Sequence, residues 1–208
     1  MIGGPYFIVI EGLDGSGKST QIEYLRDYLR ARGEACRLTA EPTELPTGRL
    51  IRSVLRHETR MDPRALAALF AADRLEHIYH PEAGILRSLE EGYHVIASRY
   101  YFSSLAYQSE YAEPGWIAAL NAQARRVLPA DLTIFLDLDP EISMHRINRR
   151  SGPRTELFER LEKLRHVRQS FLDAFDRFGQ GERIVRIDAE QSAAEVAREI
   201  EAALLGLD

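Results

Sequence analysis

Five short apolar runs with β-branched residues punctuate the chain: FIVIEG ending at Gly12, CRLTA at 36–40, HVIAS at 94–98, LTIFLD at 132–137 and RIVRID at 183–188. Between them the apolar spacing changes to that of a helix. Ile22, Leu25 and Leu29 mark one helical face, and Val196, Ile200, Ala203 and Leu204 mark another. A longer stripe of Leu157, Leu161, Leu164, Phe171, Phe175 and Phe178 reads as a core face. Runs that alternate with helical stretches predict an α/β fold, a five-stranded parallel sheet with helices on both faces. No internal repeat, low-complexity tract or linker divides the chain, so residues 1–208 are expected to form a single domain. Gly152 and Pro153 interrupt the helical pattern within RRSGPR, which predicts a mobile loop at 149–154.

Composition refines this picture by exclusion. The 208 residues, 45% of them hydrophobic, suit one buried core. The longest early apolar run, Tyr6 to Ile10, is too short to span a membrane and lacks the flanks of a signal peptide, so a cytoplasmic protein without a membrane partner is expected. A net charge of −5 supplies no global field for nucleic acid, so any anion site must be local. The single cysteine, Cys36, cannot form an internal disulfide and reads as a buried packing thiol. The histidines at 57, 77, 80, 94, 145 and 166 form no metal-ligand spacing with Cys36, and His77 and His80 read as helix surface. No nucleophile elbow, paired catalytic carboxylates or dinucleotide glycine signature is present.

The sharpest chemical signal is GLDGSGKS, Gly12 to Ser19, which fits G-x-x-x-x-G-K-[ST] without a mismatch. An apolar strand precedes it and an amphipathic helix follows. Such glycines let the backbone curl so that successive N–H groups point at phosphate oxygens, and the helix start adds partial positive charge. Gly12, Leu13, Asp14, Gly15, Ser16, Gly17, Lys18, Ser19 and Thr20 are therefore the expected ATP-binding segment, with Lys18 on the outer phosphates and Ser19 placed to ligate Mg²⁺. This loop serves ATPases, GTPases and small kinases alike. The absence of an NKxD-type guanine signature and the short chain favour a small kinase.

Six blocks carry a more specific likeness: EGLDGSGKST, AEPTELPTGRLIR, LFAADRLEH, SRYYFSSLAYQ, PADLTIFLDLDPE and ELFERLEKLRHVRQSFL. In this order the chain resembles the thymidylate kinase family, especially its archaeal-style members. The resemblance implies a nucleoside-monophosphate-kinase-like three-layer sandwich that transfers the γ-phosphate of ATP to dTMP with Mg²⁺, as a homodimer. It also implies roles residue by residue. Phe70 and Arg74, four apart on one helical face, match a ring that stacks on thymine and an arginine that bonds the base. Ser104, Tyr107 and Gln108 match positions near the pyrimidine and the sugar. Arg99 matches the arginine that grips the acceptor phosphate, Asp14 a group that bonds the 3′-hydroxyl, and Glu41 with Pro42 an EP turn at the acceptor site. Packing or surface roles remain open for each of these residues taken singly, as does a paralogue acting on another monophosphate or nucleoside.

Two departures fall on the acceptor side. The family reads D-R-[YH] where this chain has Ser98-Arg99-Tyr100, and often has an arginine where this chain has Ala40. Loss of the aspartate suggests a weakened or retuned kinase, because phosphoryl transfer is chiefly positioning and electrostatics. A catalytically silent nucleotide-binding protein is the alternative from another class. The phosphate loop carries no arginine, and in the family such loops pair with a basic lid. Residues 145–170 hold eight Lys or Arg against three Glu, and Arg149, Arg150 and Arg154 in a lid at about 146–156 are the candidate catalytic arginines beside Lys18 and Arg99. Arg160, Lys163 and Arg165 read as a solvated helix face.

Overall fold

The computed structural model describes residues 4–151 and 157–207. Five strands, β1 (Phe7–Gly12), β2 (Cys36–Ala40), β3 (His94–Ser98), β4 (Leu132–Asp137) and β5 (Ile184–Asp188), form one sheet in the order β2-β3-β1-β4-β5. Every pairing is parallel, with Ile10 opposite Ser98 and Gly12 opposite Leu136. The predicted five-stranded α/β architecture is thus borne out, with β5 starting one residue later than its apolar run.

The alternation of β1 divides the core. Ile8 and Ile10 point to the face covered by α1 (Lys18–Ala31) and α10 (Ala193–Leu205), where Ile22, Leu25, Leu29, Val196, Ile200 and Leu204 are buried. Phe7 and Val9 point to the opposite face, packed by α3 (Pro63–Tyr79), α5 (Tyr101–Gln108) and α9 (Leu157–Phe178). Within α9, Leu164 and Phe171 are buried and Leu161, Phe175 and Phe178 pack half-buried beside them, while Val167 and Ala174 complete the stripe. The other helices are α2 (Pro46–Leu55), α4 (Ile85–Glu90), α6 (Pro114–Leu120), α7 (Ala122–Val127) and α8 (Pro140–Ser151). α4, α6 and α7 span six or seven residues each, too few for a helical period to stand out in the sequence.

Two expectations are corrected here. Helix α8 continues through Ser151, so Arg149 and Arg150 are helical, and the loop expected at 149–154 does not begin where the charge run does. Residues 152–156, with Arg154, lie outside the described residues. Cys36 is half-buried, because β2 is an edge strand and one flank of it meets solvent.

Candidate active site

At the carboxyl end of β1 the backbone turns at Gly12 with φ 147°, and a Cβ there would sit 2.7 Å from Ser16 Oγ and 2.8 Å from the Leu136 carbonyl oxygen. Only glycine satisfies both constraints. The loop closes as the Ser16 N–H donates to the Leu13 carbonyl at 3.2 Å, and Gly17, at φ 98°, caps α1 without any side-chain bond. The opening N–H groups of α1 and the positive end of its dipole thereby border a cavity of about 570 Å³. Lys18 Nζ donates to the carbonyls of Gly12 at 3.0 Å and Leu13 at 2.8 Å and lies 4.0 Å from Asp14 Oδ1. Ser19 and Thr20 are exposed on the cavity wall, whereas the Leu13 side chain turns into the core.

The same cavity is bordered by Ser98 at the end of β3 and by the turn from β5 into α10. Arg146 of α8 spans it, with Nη1 donating to the Gly15 carbonyl at 3.5 Å and Nη2 to the Ala189 carbonyl at 3.1 Å. Gln21 ties α1 to α10 through a 2.9 Å bond from Nε2 to the Ala193 carbonyl, while its Oε1 and the Ser16 hydroxyl are buried without a hydrogen-bond partner.

A second cavity, of about 690 Å³, adjoins the first and is lined largely by side chains from separate elements: the Glu41-Pro42 turn, α2, α3, α5 and α9. Phe70 and Arg74 both line it, one turn apart on α3. Arg74 is 1% exposed. Its Nε and Nη2 donate to Glu41 Oε2 at 2.9 and 2.6 Å, and its Nη1 donates to Ser104 Oγ at 3.0 Å and to Asn121 Oδ1. Glu41 also pairs with His77 Nδ1 at 3.1 Å, and His77 Nε2 meets Thr39 Oγ1 at 2.6 Å. His77 is therefore buried, not helix surface, because its α3 face packs on the end of β2. Asp73 accepts from the Thr43 N–H at 2.8 Å and from the hydroxyls of Thr43 at 2.6 Å and Thr47 at 2.8 Å, bracing the turn that carries Glu41. Gln108 also borders this cavity, and its Oε1 is buried without a partner.

Asp14 and Arg99 border both cavities. Arg99 adopts φ 74°, a left-handed conformation uncommon outside glycine. Its Nη2 donates to Asp14 Oδ1 at 2.6 Å and to Tyr107 Oη at 3.2 Å, and its guanidinium lies 4.8 Å from the Tyr107 ring centre. Burial opposes the Arg99 charge, but Tyr107, Asp14 and Glu11 outweigh it and hold the group above its ordinary value, a fixed cation at the junction. Burial also pushes the Tyr107 hydroxyl up, so it stays protonated and able to donate. Beneath Arg99, burial holds the Glu11 carboxyl above its ordinary value, opposed only in part by Arg99 and by hydrogen bonds from Ser103 and Tyr100.

The expected residues Asp14, Glu41, Phe70, Arg74, Arg99, Ser104, Tyr107 and Gln108 are thus gathered on one cavity, and Gly15 to Thr20 on its neighbour. Arg149 is exposed on the last turn of α8 and borders neither cavity. Lys163 is exposed, as a solvated face requires, and also lies on the rim of the second cavity, 3.3 Å from Glu110 and over the Tyr111 ring. Arg165 pairs with Glu141 and Glu162 at the surface, as a solvated face requires. Among the described residues no cluster of three His, Cys, Asp or Glu could hold a metal, and no helix is long and apolar enough to cross a membrane. Sequence reasoning missed Arg146, Gln21, Ser103 and Asn121. Ser103 was within reach, four residues from Arg99 and four from Tyr107; Asn121 carried no local signal.

The sequence model of the thymidylate kinase family matches residues 10–200. A probable thymidylate kinase of Pyrococcus abyssi is 41% identical over 212 residues, covering 97% of this chain and 98% of that protein. A probable thymidylate kinase of Pyrococcus horikoshii is 41% identical over 83% of this chain and 84% of its own length. A bacterial thymidylate kinase, from Bifidobacterium longum, is 39% identical over 94% of this chain and 95% of its own.

Proposed function

The chain belongs to the thymidylate kinase family, and from that premise we propose that it is a nucleoside monophosphate kinase transferring the γ-phosphoryl group of ATP to dTMP. The observation that carries this reading is the shared wall. Because Asp14 and Arg99 border both cavities, a triphosphate tail on the glycine loop and a monophosphate beside Arg99 meet end to end. Such transfer asks for in-line positioning and for positive charge where the migrating group spreads its own negative charge.

Lys18 and the loop N–H groups hold the donor tail. Arg99 grips the acceptor phosphate with its planar fork, and Asp14 accepts the 3′-hydroxyl of the sugar. Phe70 stacks on the base, Arg74 and Ser104 present polar groups at its edge, and Gln108 on the same wall turns its amide to accept the N3–H of thymine, a proton that cytosine lacks. Tyr107 walls the 2′ face of the sugar and disfavours ribonucleotides.

The oxygens at the phosphate cavity, from Ser19, Ser98 and the Asp14 carboxylate, suit Mg²⁺, which prefers hard oxygen donors and keeps several waters beside one or two protein ligands. Ser19 would hold it, with Ser98 standing where a carboxylate is expected. When bound, Mg²⁺ neutralises charge on the donor phosphates.

The basic segment at 146–156 acts as a lid on this single domain, with Arg149, Arg150 and Arg154 bringing further positive charge to the transfer. Family membership supports a cytoplasmic homodimer without nucleic-acid or membrane partners. Ser98 and Ala40 favour a second reading, a protein that binds nucleotide but turns it over feebly; Lys18, Ser19 and Arg99 weigh against it. ADP release measured with dTMP, dUMP, CMP, UMP and thymidine separates the readings. The kinase proposal expects dTMP to be fastest. Release favouring another acceptor points to a paralogous specificity, and silence with all five despite tight ATP binding overturns the proposal.

A further inference from the structure

The arginine at the junction of the two cavities rests on a device that the phosphate-loop motif does not explain. Glu11, the residue before Gly12 in β1, is wholly buried. Its Oε1 accepts the backbone N–H of Tyr100 at 2.8 Å and of Ser103 at 3.1 Å, and its Oε2 accepts the Ser103 hydroxyl at 2.6 Å. These N–H groups open α5, whose own N-cap residue, Tyr100, supplies no side-chain cap. A carboxylate from a distant strand therefore accepts two of the N–H groups at the start of this helix, that of Tyr100 and that of Ser103, which is shared with the Tyr100 carbonyl at 3.1 Å.

Capping would need only the two backbone bonds. The third bond has a different consequence, because a serine hydroxyl carries one proton and Glu11 takes it. Ser103 borders the acceptor cavity yet has no proton left for a phosphate there; it offers a lone pair, and Arg99 Nη1 donates to it at 3.1 Å. Arg99 also donates to the Gly12 carbonyl at 3.4 Å, so its orientation is tied at several points to β1 and α5. A non-glycine residue at φ 74° persists when its surroundings over-determine it.

We propose that Glu11 and Ser103 are a positioning pair that aims Arg99 at the acceptor phosphate and so sets affinity for the phosphorylated acceptor. The pair acts through Arg99 without touching the substrate, and the proposal rests on the dTMP kinase reading above. Calorimetric titration of wild-type protein and Ser103→Ala with dTMP and with thymidine, which lacks the phosphate, tests it. The expected result is a loss of about tenfold in dTMP affinity, the size of one charge-assisted hydrogen bond, with thymidine affinity unchanged. Glu11→Gln, which also weakens a helix cap, is judged by the same dTMP-to-thymidine ratio, and Ser103→Ala remains decisive if that variant does not fold. Equal weakening of both ligands, or of neither, overturns the proposal. Wild-type protein that binds neither ligand overturns the kinase reading, and the proposal with it.

Discussion

The two cavities are built by different means. Half of the donor cavity's lining is one continuous stretch, Asp14 to Gln21, whose N–H groups, glycine conformations and helix dipole are properties of the local chain. The acceptor cavity takes side chains from the glycine loop, β2's end, α2, α3, α5 and α9, residues up to 149 positions apart between Asp14 and Lys163. A backbone-built site tolerates change outside its own segment. A side-chain-built site depends on buried polar groups held in register by packing, so damage to it should reach stability as well as affinity.

The largest expected effect would break the donor side alone. Lys18→Ala should lower turnover about a thousandfold, the scale of removing a group that stabilises transition-state charge, while leaving the thermal midpoint near that of the wild type; steady-state rates and a melting curve check both halves. On the acceptor side Arg74→Met should do the reverse in kind. It leaves Glu41, whose side chain is 2% exposed beside an Arg74 that is 1% exposed, with His77 in place of its arginine partner. Removing one partner of such a pair typically costs about 3–5 kcal/mol, readable in urea unfolding. An Arg74→Met protein as stable as the wild type would erase the contrast between the two cavities.

Smaller effects sharpen it. Gln108→Leu should reduce kcat/KM for dTMP about tenfold, one hydrogen bond's worth, with KM for ATP unchanged. A matching rise in the ATP constant would mean that the cavities are not separable. Ser98→Asp, at the boundary, should raise turnover or lower the magnesium requirement by about tenfold, the low end of the roughly 10–100-fold range for a partner outside the first ligands of a metal. Identical rates across a magnesium titration would remove Ser98 from the metal's surroundings.

Legibility followed the same division. Each strand was visible as a β-branched run, and the long helices α1, α9 and α10 as apolar stripes, because burial on one face imposes a period on the sequence itself. The glycine loop was complete in eight contiguous letters. Phe70, Arg74, Arg99, Ser104, Tyr107 and Gln108 were reached only through likeness to a family, since nothing in their spacing says that α3 and α5 face one cavity. His77 was misread because the sequence does not reveal that its face of α3 packs on β2, and the place of the solvent-exposed Lys163 on a cavity rim was not legible because a basic helix face looks alike in either setting.

By itself, then, the sequence determined the parallel α/β class, the order of the long elements and the phosphate-binding curl, all consequences of short-range periodicity and backbone freedom. Tertiary structure alone decided that Arg99 and Asp14 join two cavities, that Glu41 and Asn121 share Arg74, and that Glu11 reaches across to the start of α5. These are meetings between residues far apart along the chain. Their partners are selected by packing and by the need to satisfy buried polar groups, which no local pattern encodes.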